Sequence, residues 1–102
     1  MKQTDKSADG TSFHNHTFTA TVDDLRNVLG QPKFESNDGQ DKVNFDWIME
    51  TEDGEPFTVY DWKEYRPLPE DEVIEWHIGG RSGLTTGKAL LEIREALRLY
   101  PL

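Results

Sequence analysis

The stretch from Lys42 to Trp62, KVNFDWIMETEDGEPFTVYDW, alternates apolar and polar side chains on both sides of an Asp-Gly pair. A period of two belongs to a strand, and Asp53-Gly54 suits the positive φ values of a tight hairpin turn. Val43, Phe45, Trp47 and Met49 share one face of the first strand and predict its core side, while Asn44, Asp46, Ile48 and Glu50 share the other. On the partner strand Phe57 and Val59 lie on the face of Asp61, and Thr58, Tyr60 and Trp62 on the opposite one, so both faces are partly apolar. A hairpin of this kind demands an antiparallel sheet with a layer to cover it.

The flanking segments supply that layer. In TVDDLRNVLGQP, Thr21 is placed to cap a helix of about two turns, with Asp23 and Asp24 in its positive first turn. Val22, Leu25, Val28 and Leu29 recur at helical spacing, and Gly30 with Pro32 ends the run. LTTGKALLEIREALRLYPL gives a second helical stripe of Ala89, Leu90, Ile93, Ala96, Leu97 and Tyr100. FHNHTFTA reads as a strand with Phe13, Asn15, Thr17 and Thr19 on one face, and VIEWHIGG as another with Ile74, Trp76 and Ile78 together. KFESNDGQDK and KEYRPLPEDE break both periods, and residues 1–12 are polar and aperiodic, which predicts a disordered lead-in to one domain over residues 13–102. The order β-α-β-β-β-α predicts an α+β, two-layer fold: an antiparallel sheet of about four strands with two helices on one face.

At 102 residues the chain has room for one core. It contains no cysteine, which excludes disulfides, thiolate nucleophiles and Cys-based metal sites. MKQTDKSADGTS has no apolar stretch of the secretory kind, so a cytoplasmic protein is expected, and Asn15-His16-Thr17 is then a sequon by chance.

Charge narrows the partners. Twenty acids against eleven Lys and Arg leave a formal charge of -9. Glu35, Asp38, Asp41, Asp46, Glu50, Glu52, Asp53 and Glu55 face only Lys42 in their segment, and Glu70, Asp71 and Glu72 follow. Direct duplex DNA binding needs a basic face that such a chain lacks, whereas a basic protein groove would be attracted. The plainer reading of the same acids is solubility.

WHIGGRSGLTTGK raises the question of an anion cradle. A phosphate loop of the form GxxxxGK[ST] needs a glycine at 82 and a hydroxyl at 89, where the chain has Ser82 and Ala89, so nucleotide hydrolysis is not indicated. Gly79, Gly80 and Gly83 with Arg81, Lys88 and a helix start still suit non-catalytic anion binding; the alternative is a glycine-rich strand exit with Ser82 or Thr85 as cap. YDWKEYRP interleaves aromatics and cations, as in a nucleobase-stacking surface or a protein hot spot, or else in an edge strand. Together Trp62, Lys63, Tyr65, Trp76, His77, Gly79, Gly80, Arg81 and Lys88 make a candidate ligand pocket.

Enzyme signals are thin. His14 and His16 on one strand face lack further ligands, Asp61 with Glu64 and the Glu70–Glu72 run pair by abundance, and no GxSxG is present. No catalytic residue, metal or cofactor is assigned.

FTATVDDLRNVLGQP, FDW, FTVYDWKEYR and EWHIGGRS together resemble a group of small uncharacterised accessory proteins of tailed bacteriophages, YDWK and EWHIGG being the more specific strings. The resemblance spans the domain from Phe13 onward and implies a small viral protein made in a bacterial cytosol, without catalytic residues to carry over. Two mechanisms then suit the residues. In the preferred one, a non-enzymatic inhibitor of an antiviral defence system uses its acids to occupy the basic groove of a host nucleic-acid-binding effector. In the other, the aromatic and cationic pocket sequesters a nucleotide-like signal; a small hydrolase comes third. The sheet edge and two-sided aromatics also suit a homodimer.

Overall fold

A computed structural model describes residues 1–100; the predicted domain extends to 102, and residues 101–102 lie outside the described residues. The elements are β1 (Lys2–Gln3), β2 (Ser12–Ala20), α1 (Val22–Leu29), β3 (Phe34–Glu35), β4 (Phe45–Glu50), β5 (Pro56–Tyr60), β6 (Ile74–Gly80) and α2 (Gly83–Leu99). All pairings are antiparallel, in the order β1-β4-β5-β6-β2, and β3 shares the outer edge of β4 with β1. The α+β class is as expected, with about six strands rather than about four. The two extra strands have two residues each, too short to carry a period.

One face of the sheet holds the core. Phe45, Trp47 and Met49 of β4, Phe57 and Val59 of β5, and Ile74, Trp76 and Ile78 of β6 are buried under Leu25 and Leu29 of α1 and Ala89, Leu90 and Ile93 of α2. Trp47 and Trp76 meet edge to face at 5.6 Å, and each indole satisfies its N–H on a backbone carbonyl, Gly30 at 2.8 Å and Ala20 at 2.9 Å. The helix starts follow their sequence signals. Thr21 and Asp24 form a capping box at α1, and the Ser82 hydroxyl accepts from the Thr85 amide at α2. The β4–β5 hairpin turns at Gly54, whose φ of 84° lies where side chains other than glycine are strained.

Residues 1–12 depart from the expected disordered lead-in. Gln3 donates to the Leu29 and Gln31 carbonyls, Lys6 to the Gly54 carbonyl, and the Arg81 guanidinium to the carbonyls of Ser7 and Asp9. These bonds are aperiodic and long-range, so hydrophobic patterning carries no trace of them. YDWKEYRP is not an edge strand either, because β5 ends at Tyr60 between β4 and β6.

Candidate functional site: the open sheet face and the acidic loops

The face of the sheet opposite the helices follows directly from the register. Phe34, Asp46, Tyr60, His77 and Thr17 pair in succession across β3, β4, β5, β6 and β2 and therefore form one row on one face. The next row is Ile48, Thr58, Gly79 and Phe13. Phe13 and His77 lie 4.6 Å apart between ring centroids, His77 and Tyr60 5.7 Å, and Tyr60 and Trp62 6.2 Å edge to face.

A cleft of about 300 Å³ opens on this face, lined by Asp46, Thr58, Tyr60, Trp62 and Gly79 and bounded by Ala8 and Thr11 of the N-terminal segment. Gly79 makes room for it, since a Cβ there would stand 2.6 Å from Thr58 Oγ1 and 3.5 Å from the Tyr60 ring. Asp46 Oδ1 is shielded from solvent and has no hydrogen-bond partner among the described residues. Burial first, and then the charge of Asp61, push its carboxyl up to about 6. Burial and the nearby Asp46 likewise raise the Tyr60 phenol. At the rim, Lys63 and Lys42 place their ammonium groups 5.5 and 5.9 Å from the centre of the Trp62 ring.

The nine residues of the candidate ligand pocket do not converge. Trp62, His77 and Gly79 lie on the open face, with Lys63 against Trp62. Trp76 is fully buried on the opposite face and is unavailable to a ligand. Gly80 is the close-approach point of α2, where a Cβ would stand 2.7 Å from Thr86 Cγ2. Arg81 holds the N-terminal segment, Lys88 pairs with Asp53, and Tyr65 lies exposed in the loop after β5. The glycine-rich stretch thus serves close packing and the helix start, the structural alternative read from its sequence. Asp46, Thr58 and Tyr60, absent from that pocket, line the cleft instead.

Ten of the eleven acids expected to form the acidic surface fall into two groups at opposite ends of β4; Asp46 sits apart from both, in the cleft of the open face. Glu50, Glu52, Asp53 and Glu55 surround the β4–β5 turn, with Glu50 salt-bridged to Lys6 at 3.3 Å and Asp53 to Lys88. Hydrogen bonds from Thr4 and Lys6 hold the Glu50 carboxyl below its ordinary range. At the other end, the loop with Glu35, Asp38 and Asp41 meets the loop with Glu70, Asp71 and Glu72. The Asn37 side chain joins them, donating to the Leu68 carbonyl at 2.8 Å and accepting from the Leu68 amide at 2.6 Å. Arg26 bridges Glu35 at 2.8 Å and Glu70 at 2.9 Å, and Arg66 pairs with Glu72. Asp38, Asp41 and Asp71 remain exposed beside these pairs.

His14 donates to the Gly80 carbonyl at the end of β6 and His16 lies 2.7 Å from the Thr86 hydroxyl of α2, so each is engaged within the fold. Among the described residues no group of three or more His, Asp or Glu is arranged to hold a metal ion. No helix among them is long and apolar enough to cross a membrane. No family model matches the chain, and neither a curated protein nor a solved structure matches it.

Proposed function

We propose that the protein is a non-enzymatic, phage-encoded inhibitor that acts in the bacterial cytosol by binding one host defence protein stoichiometrically. Its acidic surface occupies the basic groove through which that effector holds nucleic acid. The observation that carries this reading is the Asn37–Leu68 clamp, which brings acids more than thirty residues apart in sequence onto one fixed end of the sheet. Fixed carboxylates suit electrostatic complementarity because little ordering entropy is lost when they dock. The internal pairs with Arg26 and Arg66 orient Glu35, Glu70 and Glu72 while leaving the net charge at -9.

The test is retention of bacterial proteins on the immobilised chain. A basic nucleic-acid-binding protein is expected, held at about 50 mM salt and released by about 300 mM, where screening is strong. The triple variant Asp38→Lys, Asp41→Lys, Asp71→Lys is expected to lose it. Salt-insensitive retention, or a captured protein that still binds its nucleic acid in the presence of excess inhibitor, would overturn the reading.

A further inference from the structure

We propose that the cleft on the open sheet face is a receptor for a planar cation, specifically an arginine side chain of the basic partner, paired with Asp46 and stacked on Tyr60 and Trp62. This deepens the inhibitor reading and rests on it for the identity of the partner, though not for the chemistry of the cleft.

Four observations point to this ligand. First, Asp46 lines the cleft and its Oδ1, closed to solvent, has no hydrogen-bond partner among the described residues; a ligand therefore meets the carboxylate through its other oxygen, and since an ionised carboxylate only accepts hydrogen bonds, the group it lacks is a donor. Second, its cross-strand neighbours are aromatic: Phe34 stands opposite it on β3 and Tyr60 opposite it on β5. Third, two ammonium groups of the chain itself, on Lys42 and Lys63, already lie against the Trp62 ring, which marks that face as attractive to cations. Fourth, Gly79 withholds a side chain where one would fill the cleft floor. A guanidinium meets all of these conditions, because it is planar, carries five donors in a fork, stacks on aromatic rings and is weakly hydrated. A phosphate-bearing ligand would instead have to approach an acid in the field of a chain with charge -9.

An Asp left without a partner in a half-buried place costs stability, and sites that bind commonly keep such groups. Among the described residues Asp46 has no salt bridge, whereas Glu35, Glu50, Asp53, Glu70 and Glu72 each have one. Glu50 and Asp53 also border a cavity, but Lys6 and Lys88 reach across to them, whereas no cationic side chain of the described residues pairs with Asp46.

The experiment uses the full chain and small probes, so it needs no host protein. N-acetyl-arginine methylamide, N-acetyl-lysine methylamide and guanosine monophosphate are titrated in turn while the Trp62 indole and the Tyr60 and Gly79 amides are followed by NMR. The arginine probe is expected to shift these signals with a dissociation constant of about 1 mM, several-fold tighter than the lysine probe. In Asp46→Asn, whose folding is verified by its unchanged remaining spectrum, binding is expected to weaken about tenfold or more, as loss of a charge-assisted pair predicts. The triple loop variant is expected to keep the arginine site, which separates failure of the acidic-loop reading from failure of this one. No shift with the arginine probe, equal binding by Asp46→Asn, or binding of guanosine monophosphate alone would overturn the proposal.

Discussion

The Asp61 carboxylate accepts hydrogen bonds from the Asn44 backbone amide at 2.8 Å and from its side-chain amide at 3.1 Å, and both residues are completely buried. The same carboxylate also accepts from the Phe45 amide at 2.9 Å, and the Asn44 side chain donates onward to the Arg66 carbonyl at 3.0 Å. The start of β4, the end of β5 and the loop carrying Arg66 are therefore tied by one acid. Asp61→Ala strips the partner from two buried backbone N–H groups, each worth about 1–3 kcal/mol when left unsatisfied, and leaves the Asn44 side-chain amide with only its bond to Arg66. Even with partial relaxation, we expect a loss of about 3 kcal/mol or more in chemical unfolding. The loops that carry Glu35–Asp41 and Glu70–Glu72 should exchange their amides faster before the core does. A loss below about 1 kcal/mol, an ordinary surface value, would mean the network is replaced by water.

Gly79 and Thr58 are cross-strand partners, and the glycine is required by contact: its φ is not in the left-handed region, but a Cβ would press to 2.6 Å from Thr58 Oγ1. Gly79→Ala is expected to destabilise by about 1–3 kcal/mol, the usual cost of overpacking. Thr58→Ala in the same chain removes the struck atom, so the double variant should recover a good part of that loss. Thermal unfolding of the four chains of this double-mutant cycle measures the coupling. Additive effects would show that backbone propensity, and not the Thr58 contact, penalises alanine at this position.

Elements with strong local signals were legible. The β4–β5 hairpin, the Thr21 cap with Gly30 at the other end of α1, and the Ser82 start of α2 all sit where alternation, capping chemistry and turn residues place them. The pocket was not legible, for a reason visible in one dipeptide. Trp76 and His77 are adjacent on β6 and so must point to opposite faces, one into the core and one onto the open row; grouping them in a single pocket conflicts with the period that identified the strand. Asp46 shows the converse. Its place on the non-core face of β4 was readable, but its seat between Phe34 and Tyr60 depends on pairing with a two-residue strand that has no pattern of its own. The Arg81 clamp on Ser7 and Asp9 joins backbone carbonyls across more than seventy residues, and backbone carbonyls are the same at every position in a sequence.

Asp46 makes the pH dependence of stability diagnostic. Its carboxyl rises in the fold from an ordinary 3.8 to about 6, through burial first and Asp61 second. Between those values the folded state binds the proton more tightly than the unfolded chain, so this group's favourable contribution is complete below about pH 3.8 and is lost as pH rises through about 6. The interval is worth about 3 kcal/mol at 1.36 kcal/mol per pH unit, reduced to about 1–2 kcal/mol because the side chain is partly open to screening. Glu50, Glu72 and Glu95 are shifted the other way and lose stabilisation as pH falls, so the whole-protein curve mixes both signs. The difference between Asp46→Asn and the parent chain isolates the one site. Asparagine stays neutral, so the variant's advantage should grow by about 1–2 kcal/mol between pH 4 and pH 7 and level off above. Parallel denaturant titrations of both chains across that range measure it. A variant less stable than the parent at pH 7 would show that the ionised carboxylate is held by a favourable contact, and the cleft would then have no unmet demand for a cation.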